Sequence, residues 1–149
     1  MPRMQGFAPL LAALAALAAA SPAAAADVQV RMLNHGAAGM MVFEPAFVII
    51  KPGDTVTFVA ADKGHNAVSL PGMVPAGGAA FSGAINQEIE VKFTRPGLYG
   101  YHCVPHTGLG MVGLIEVGNA SNKASAAAAA SKLPGLARGR MADLLSRAK

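Results

Sequence analysis

The chain reads as a mainly β protein, an antiparallel sandwich or barrel, finished by two C-terminal α-helices. Three observations point there. Between residues 28 and 117 the apolar residues come in short runs rich in Val, Ile, Phe and Thr. Those runs are cut by Gly- and Pro-containing turns at the spacing of a sandwich. Beyond Asn119 the composition changes to Ala, Leu, Lys and Arg, which are good helix formers.

Residues 1–26 are set aside first. Arg3 precedes an uncharged run from Phe7 to Ala20, and Ser21-Pro22-Ala23-Ala24-Ala25-Ala26 follows it. This is the layout of a secretory signal peptide with cleavage after Ala26, so Asp27 is the expected mature start. The run is shorter than the roughly 20 residues a membrane span needs. Export to the periplasm is expected, with no membrane insertion once the signal is removed.

Val28 to Leu33 alternates in and out as a strand. Phe47 to Ile50 leads into the turn Lys51-Pro52-Gly53-Asp54, and Thr55 to Val59 resumes the sheet. Ile89 to Phe93 stops at Arg95-Pro96-Gly97, Leu98 to Cys103 follows, and Met111 to Val117 closes the β region. Ala124 to Lys132 and Leu136 to Ala148 are the helices, separated by Pro134-Gly135. His35, in Asn34-His35-Gly36, reads as an exposed turn residue. The organisation is a signal peptide (1–26), a β domain (27–119) and a helical extension (120–149), a single domain being what 149 residues allow.

One cysteine in the whole chain excludes an intrachain disulfide framework, CxxC redox motifs and zinc ribbons. No phosphate-binding fingerprint and no Gly-x-Ser-x-Gly occur. The formal charge of +4 is unevenly placed. Residues 27–119 carry five basic against seven acidic side chains, whereas residues 120–149 carry six basic against Asp143 alone. The β domain therefore has no basic face for nucleic acid.

The chemistry lies in Tyr101-His102-Cys103-Val104-Pro105-His106-Thr107-Gly108-Leu109-Gly110-Met111. A thiol, an imidazole three residues on and a thioether five after that share one loop between two strands. Together they form a soft donor set suited to copper, which also needs a second nitrogen. His65 in Asp62-Lys63-Gly64-His65-Asn66 is the best candidate, with His35 and His102 as alternatives. His102 adjoins Cys103 and points to the opposite face of an extended strand. Singly, each of these residues would be explained by packing; it is their joint spacing that argues for a metal.

On these residues the chain resembles the type 1 blue-copper proteins, or cupredoxins, and among them the pseudoazurins. The resemblance rests on Met32-Leu33-Asn34, Met41 to Ala46, Pro52 to Phe58, Asp62 to Asn66, Cys103-x-Pro-His106 and Gly110-Met111-Val112-Gly113, and it includes the two-helix tail. It implies a Greek-key cupredoxin sandwich and one copper ion per chain cycling between Cu(II) and Cu(I). His65, Cys103 and His106 would be the in-plane ligands and Met111 the long axial one. Asn66 would tie the ligand loops together and turn its backbone N–H toward the Cys103 sulfur. Met41, Pro105 and Leu109 would form an apolar patch around the edge of His106, where electrons leave. The implied protein is a monomeric electron carrier, not an enzyme. Its partners would be transient redox proteins such as a nitrite reductase or a c-type cytochrome.

Two features depart from the pseudoazurin pattern. His102 stands where lysine is common before the cysteine, and the basic charge lies in the tail, not around the patch. A His-Cys pair also occurs in copper-containing nitrite reductases, so an enzyme module of that kind is the alternative, together with a copper storage or delivery protein.

Overall fold

A computed structural model describes Pro2 and residues 23–149. The expected signal peptide lies outside the described residues, apart from Pro2 and Ala23 to Ala26. Strand β1 (Asp27–Gly36) turns through Ala37 and Ala38 into β2 (Gly39–Glu44), and β3 (Phe47–Ile50) follows. The Lys51–Asp54 turn leads to β4 (Thr55–Val59), then come β5 (Val68–Ser69), β6 (Ile89–Lys92) and β7 (Gly97–His102). A 3₁₀ segment (Val104–Leu109) joins β7 to β8 (Val112–Val117), and the chain ends in α1 (Lys123–Ala130) and α2 (Leu136–Arg147).

Two four-stranded sheets result, ordered β2-β1-β4-β6 and β3-β8-β7-β5. The expected antiparallel pairing needs correction, because β1 pairs with β4 and β3 with β8 in parallel. The chain leaves the first sheet after β2, forms β3 in the second and returns as β4 beside β1, so β1 and β4 are neighbours joined by a crossover and not by a hairpin. The turn expected at His35 also moves. His35 is exposed but lies within β1 opposite Met40, since the reversal is made at Ala37-Ala38 and closed by Gly39 at φ +122°. Neither β2 nor β5 is read from the sequence, the first being opened by Gly39 and the second only two residues long.

Alternation along the strands builds two cores. Val30, Met32, Phe43, Phe58, Tyr99, Tyr101 and Ile115 fill the space between the sheets. Tyr101 is the hub, with its ring 4.7 Å from that of Phe43 and 4.9 Å from that of Phe58. Opposite it in the ladder stands Gly113, where an added Cβ would lie 2.2 Å from the Tyr101 hydroxyl. No larger residue fits there.

The other face of the second sheet carries Leu98, Val112 and Leu114, which pack against Ala126, Ala137, Met141, Leu144 and Leu145 of the helices. All six residues of β8 are therefore buried. The Val, Leu and Ile side chains of β8 each contribute about 1.5–3 kcal/mol of transfer free energy when fully buried. The basic tail is largely spent on backbone carbonyls: Lys123 donates to Ala148, Arg138 to Leu133 and Arg140 to Gly110, while Arg147 lies over the Phe47 ring. Among the described residues, no helix is long and apolar enough to cross a membrane.

Candidate metal centre

The strands β7 and β8 are antiparallel neighbours, so the loop between them closes over one end of the sandwich. Pro105 near the start of the 3₁₀ segment presets its backbone, and Gly110 ends it in the left-handed region at φ +88°. The loop is cross-tied. Cys103 N–H donates to Met111 O (3.0 Å), Met111 N–H to His106 O (3.2 Å) and His106 N–H to Cys103 O (3.1 Å). The Thr107 hydroxyl donates to Cys103 O at 2.9 Å.

Into this loop the β4–β5 connection brings His65. The Cys103 Sγ lies 3.7 Å from His65 Nδ1 and 3.4 Å from His106 Nδ1, and the two nitrogens are 3.2 Å apart. The centre of that triangle is about 2 Å from each corner, which is the length of a bond from a transition metal to nitrogen or sulfur. His65 and Cys103 are fully buried, and His106 is half-buried. Among the described residues this is the one group of three such side chains able to share an ion.

Tautomer and charge agree with that use. The His65 Nε2 is 2.7 Å from the side-chain oxygen of Asn34, which only accepts, so Nε2 carries the proton and Nδ1 turns its lone pair to the triangle. Burial, reinforced by the His106 ring, lowers the His65 pKa, although Asp62 opposes this. Burial pushes the Cys103 thiol up, while backbone N–H groups of Asn66 and His106 pull it down. In the metal-free protein only protons can bridge these three atoms pairwise, whereas a single metal cation would bridge all of them at once. A thiolate and two imidazoles are the donors that suit copper.

The structure brings together His65, Cys103 and His106 of the predicted set. Met111 is fully buried and bonded through its backbone to both Cys103 and His106. Asn66 accepts from Val104 N–H at 2.9 Å and donates to Gly83 O at 3.1 Å. Pro105 and Leu109 are exposed beside His106, and Met41 is half-buried at φ 51°. Neither His35 nor His102 joins the group. His102 instead stands 2.7 Å from the Thr107 hydroxyl and pins the loop from its far side.

Sequence reading missed three contributors. Asn34 orients His65 and is itself held by its backbone N–H to Asp62 at 2.7 Å. Val104 adds exposed apolar surface next to Pro105. Thr107 links His102 to the Cys103 carbonyl. Asn34 lies in a segment that carries the family likeness, but no spacing in the sequence shows that β1 ends beside residue 65.

Two packed β-sheets with a thiol and two imidazoles meeting beneath a cross-tied loop define a cupredoxin, the copper-binding class of β-sandwich. The family model for copper binding proteins, plastocyanin/azurin family, matches residues 30–118. A pseudoazurin from Paracoccus pantotrophus is 49% identical over 130 residues, 87% of this chain and 89% of the relative. The solved pseudoazurin of Methylobacterium extorquens AM1 aligns with a TM-score of 0.76 at 40% identity, covering 81% of this chain and 98% of that one. For the pseudoazurin of Hyphomicrobium denitrificans the TM-score is 0.75 at 36% identity, covering 83% and 98%. The chain belongs to the pseudoazurins of the plastocyanin/azurin family, and its cofactor is one copper ion.

Proposed function

We propose that this protein is an exported, monomeric blue-copper electron carrier in which His65, Cys103 and His106, with the thioether of Met111, would hold the ion. Bound copper supplies a one-electron Cu(II)/Cu(I) couple. The residues of the chain do the rest. Asn34 fixes the ring of His65, Asn66 fixes Val104 next to the thiol, and the cross-ties from Cys103 to Met111 hold the loop. Donors held this firmly cannot rearrange to the geometry either oxidation state prefers, so little reorganisation accompanies electron transfer. Four donors from the chain itself, His65, Cys103, His106 and Met111, would satisfy a copper ion without a substrate, which favours a carrier over an enzyme.

His106 is the electron port. It is half-buried between exposed Val104, Pro105 and Leu109, and an apolar rim lets a partner approach without desolvating charge. Such encounters bury little area and separate quickly. A nitrite reductase or a c-type cytochrome is the class of partner expected, and residues 1–26 direct export to the periplasm. Fractionation that leaves the protein in the cytoplasm, or a mature form not starting at Asp27, overturns the export reading.

The donor triangle of 3.7, 3.4 and 3.2 Å carries this conclusion. Its test is optical. The Cu(II) protein shows an intense visible thiolate-to-copper band that bleaches on reduction and is absent from Cys103→Ala. Weak absorption typical of oxygen- and nitrogen-bound copper would sink it.

A further inference from the structure

One side chain of the basic C-terminal helix hydrogen-bonds to the backbone of the proposed ligand loop. Arg140, on α2, donates from Nη1 to the carbonyl of Gly110 at 3.0 Å. Gly110 immediately precedes Met111, and its carbonyl belongs to the peptide unit that joins the two residues. The Arg140 side chain also lies flat on Gly110. An added Cβ there would be 2.8 Å from Arg140 Cδ and 3.0 Å from Nε, so the arginine side chain would have to move aside, and the φ of +88° itself favours glycine.

The same side chain reaches the β1–β2 hairpin, with Nη2 3.7 Å from where a Cβ on Gly39 would sit. Around it the packing is incomplete. A groove of about 280 Å³ lies between the hairpin and α2, lined by Val42, Phe43, Val112, Arg140 and Leu144 among others. Just before α2, Gly135 also meets the loop, its backbone approaching so closely that an added Cβ would lie 2.4 Å from the Gly108 carbonyl oxygen. An arginine suits this position because its planar fork is pre-organised and its charge-assisted bond to a carbonyl outlasts a neutral one.

We propose that Arg140 is a positioning residue for Met111: by holding the Gly110–Met111 peptide against α2, it fixes the place of the thioether that would serve as a copper donor. This rests on the reading of Met111 as a ligand. Because a thioether donor tunes the potential of such sites, a loop released from α2 would hold Met111 less firmly and would favour Cu(I) over Cu(II). The basic tail thereby acts on the redox site through the backbone, besides any effect of its charge.

The test compares Arg140→Lys, which keeps the charge, and Arg140→Met, which removes charge and fork together, with Arg138→Lys and Leu144→Ala. In the metal-free proteins, amide exchange at Met111 and Val112 becomes several-fold faster in both Arg140 variants, while the amides of β6 keep their wild-type rates. In the copper-loaded proteins the midpoint potential of Arg140→Lys rises, whereas Arg138→Lys stays at the wild-type value. Unchanged exchange in both Arg140 variants overturns the proposal. So does an equal rise in Leu144→Ala, which loosens α2 without touching Gly110. A wild-type protein lacking the visible band would instead sink the ligand reading on which the proposal stands.

Discussion

The side-chain oxygen of Asn34 accepts a hydrogen bond from Nε2 of fully buried His65 across 2.7 Å, joining the end of β1 to the β4–β5 connection. That bond decides which ring nitrogen faces the metal. The Asn34 backbone is held in turn by the Asp62 carboxylate, so a chain of two hydrogen bonds runs from the surface to the donor atom.

Asn34→Ala removes the acceptor and frees the His65 ring to rotate or change tautomer. Copper affinity falls about 10- to 100-fold, the usual cost of losing such a partner. Competition against a graded copper chelator measures it, and an unchanged affinity contradicts the role given to Asn34.

Asn66→Ala leaves the Val104 N–H and the Gly83 carbonyl without their partners. An unsatisfied buried group costs about 1–3 kcal/mol, so the urea midpoint of the metal-free protein falls accordingly. A loss below about 0.5 kcal/mol, the scale of an ordinary surface substitution, would show that the two ligand loops do not depend on this tie.

Met141→Ala empties a fully buried site between α2 and the second sheet. The expected destabilisation is about 2–5 kcal/mol, set by how far the site collapses. Thermal unfolding followed by circular dichroism should show one shifted transition for helices and sheet together, since both share that core.

Stability of the metal-free protein depends on pH through two histidines. Burial lowers the pKa of His65 and of His102, so below the ordinary histidine value near 6.5 the unfolded chain binds protons that the folded chain refuses. The stabilising contribution of both is complete above that value and is lost as pH falls through the lowered folded ones. The melting temperature therefore drops between pH 7.5 and pH 5, and His102→Gln makes the dependence shallower. A flat profile in the wild type would contradict this.

Asp54 acts further down the scale. Its carboxylate accepts from the backbone N–H of Lys51 at 2.9 Å, the bond that chiefly holds its pKa below the usual range; a second bond, from Ala26 N–H at 2.8 Å, belongs to the uncleaved chain. Its stabilisation is present above the normal carboxylate pKa and disappears as pH falls through the depressed one. In Asp54→Ala, where that contribution is missing at every pH, acid unfolding begins at a higher pH than in the wild type.

How much of this was legible in the chain itself follows from the range of each interaction. Alternation in Val28 to Leu33, the Lys51–Asp54 turn, the helices flanking Pro134-Gly135 and the Cys103, His106 and Met111 spacing are local patterns, fixed within a few residues. They determined the element types, the soft donor set and the family. The tertiary structure alone decided that β1 and β4 run parallel, that Asn34 rather than solvent meets His65, that His102 pins Thr107, and that Arg140 reaches Gly110. All but the His102–Thr107 contact join residues roughly thirty positions apart in sequence. Even that short-range contact depends on how the ligand loop folds back over β7. No local periodicity encodes such meetings, because they depend on how two sheets and a helix stack, and stacking is settled by the whole core at once.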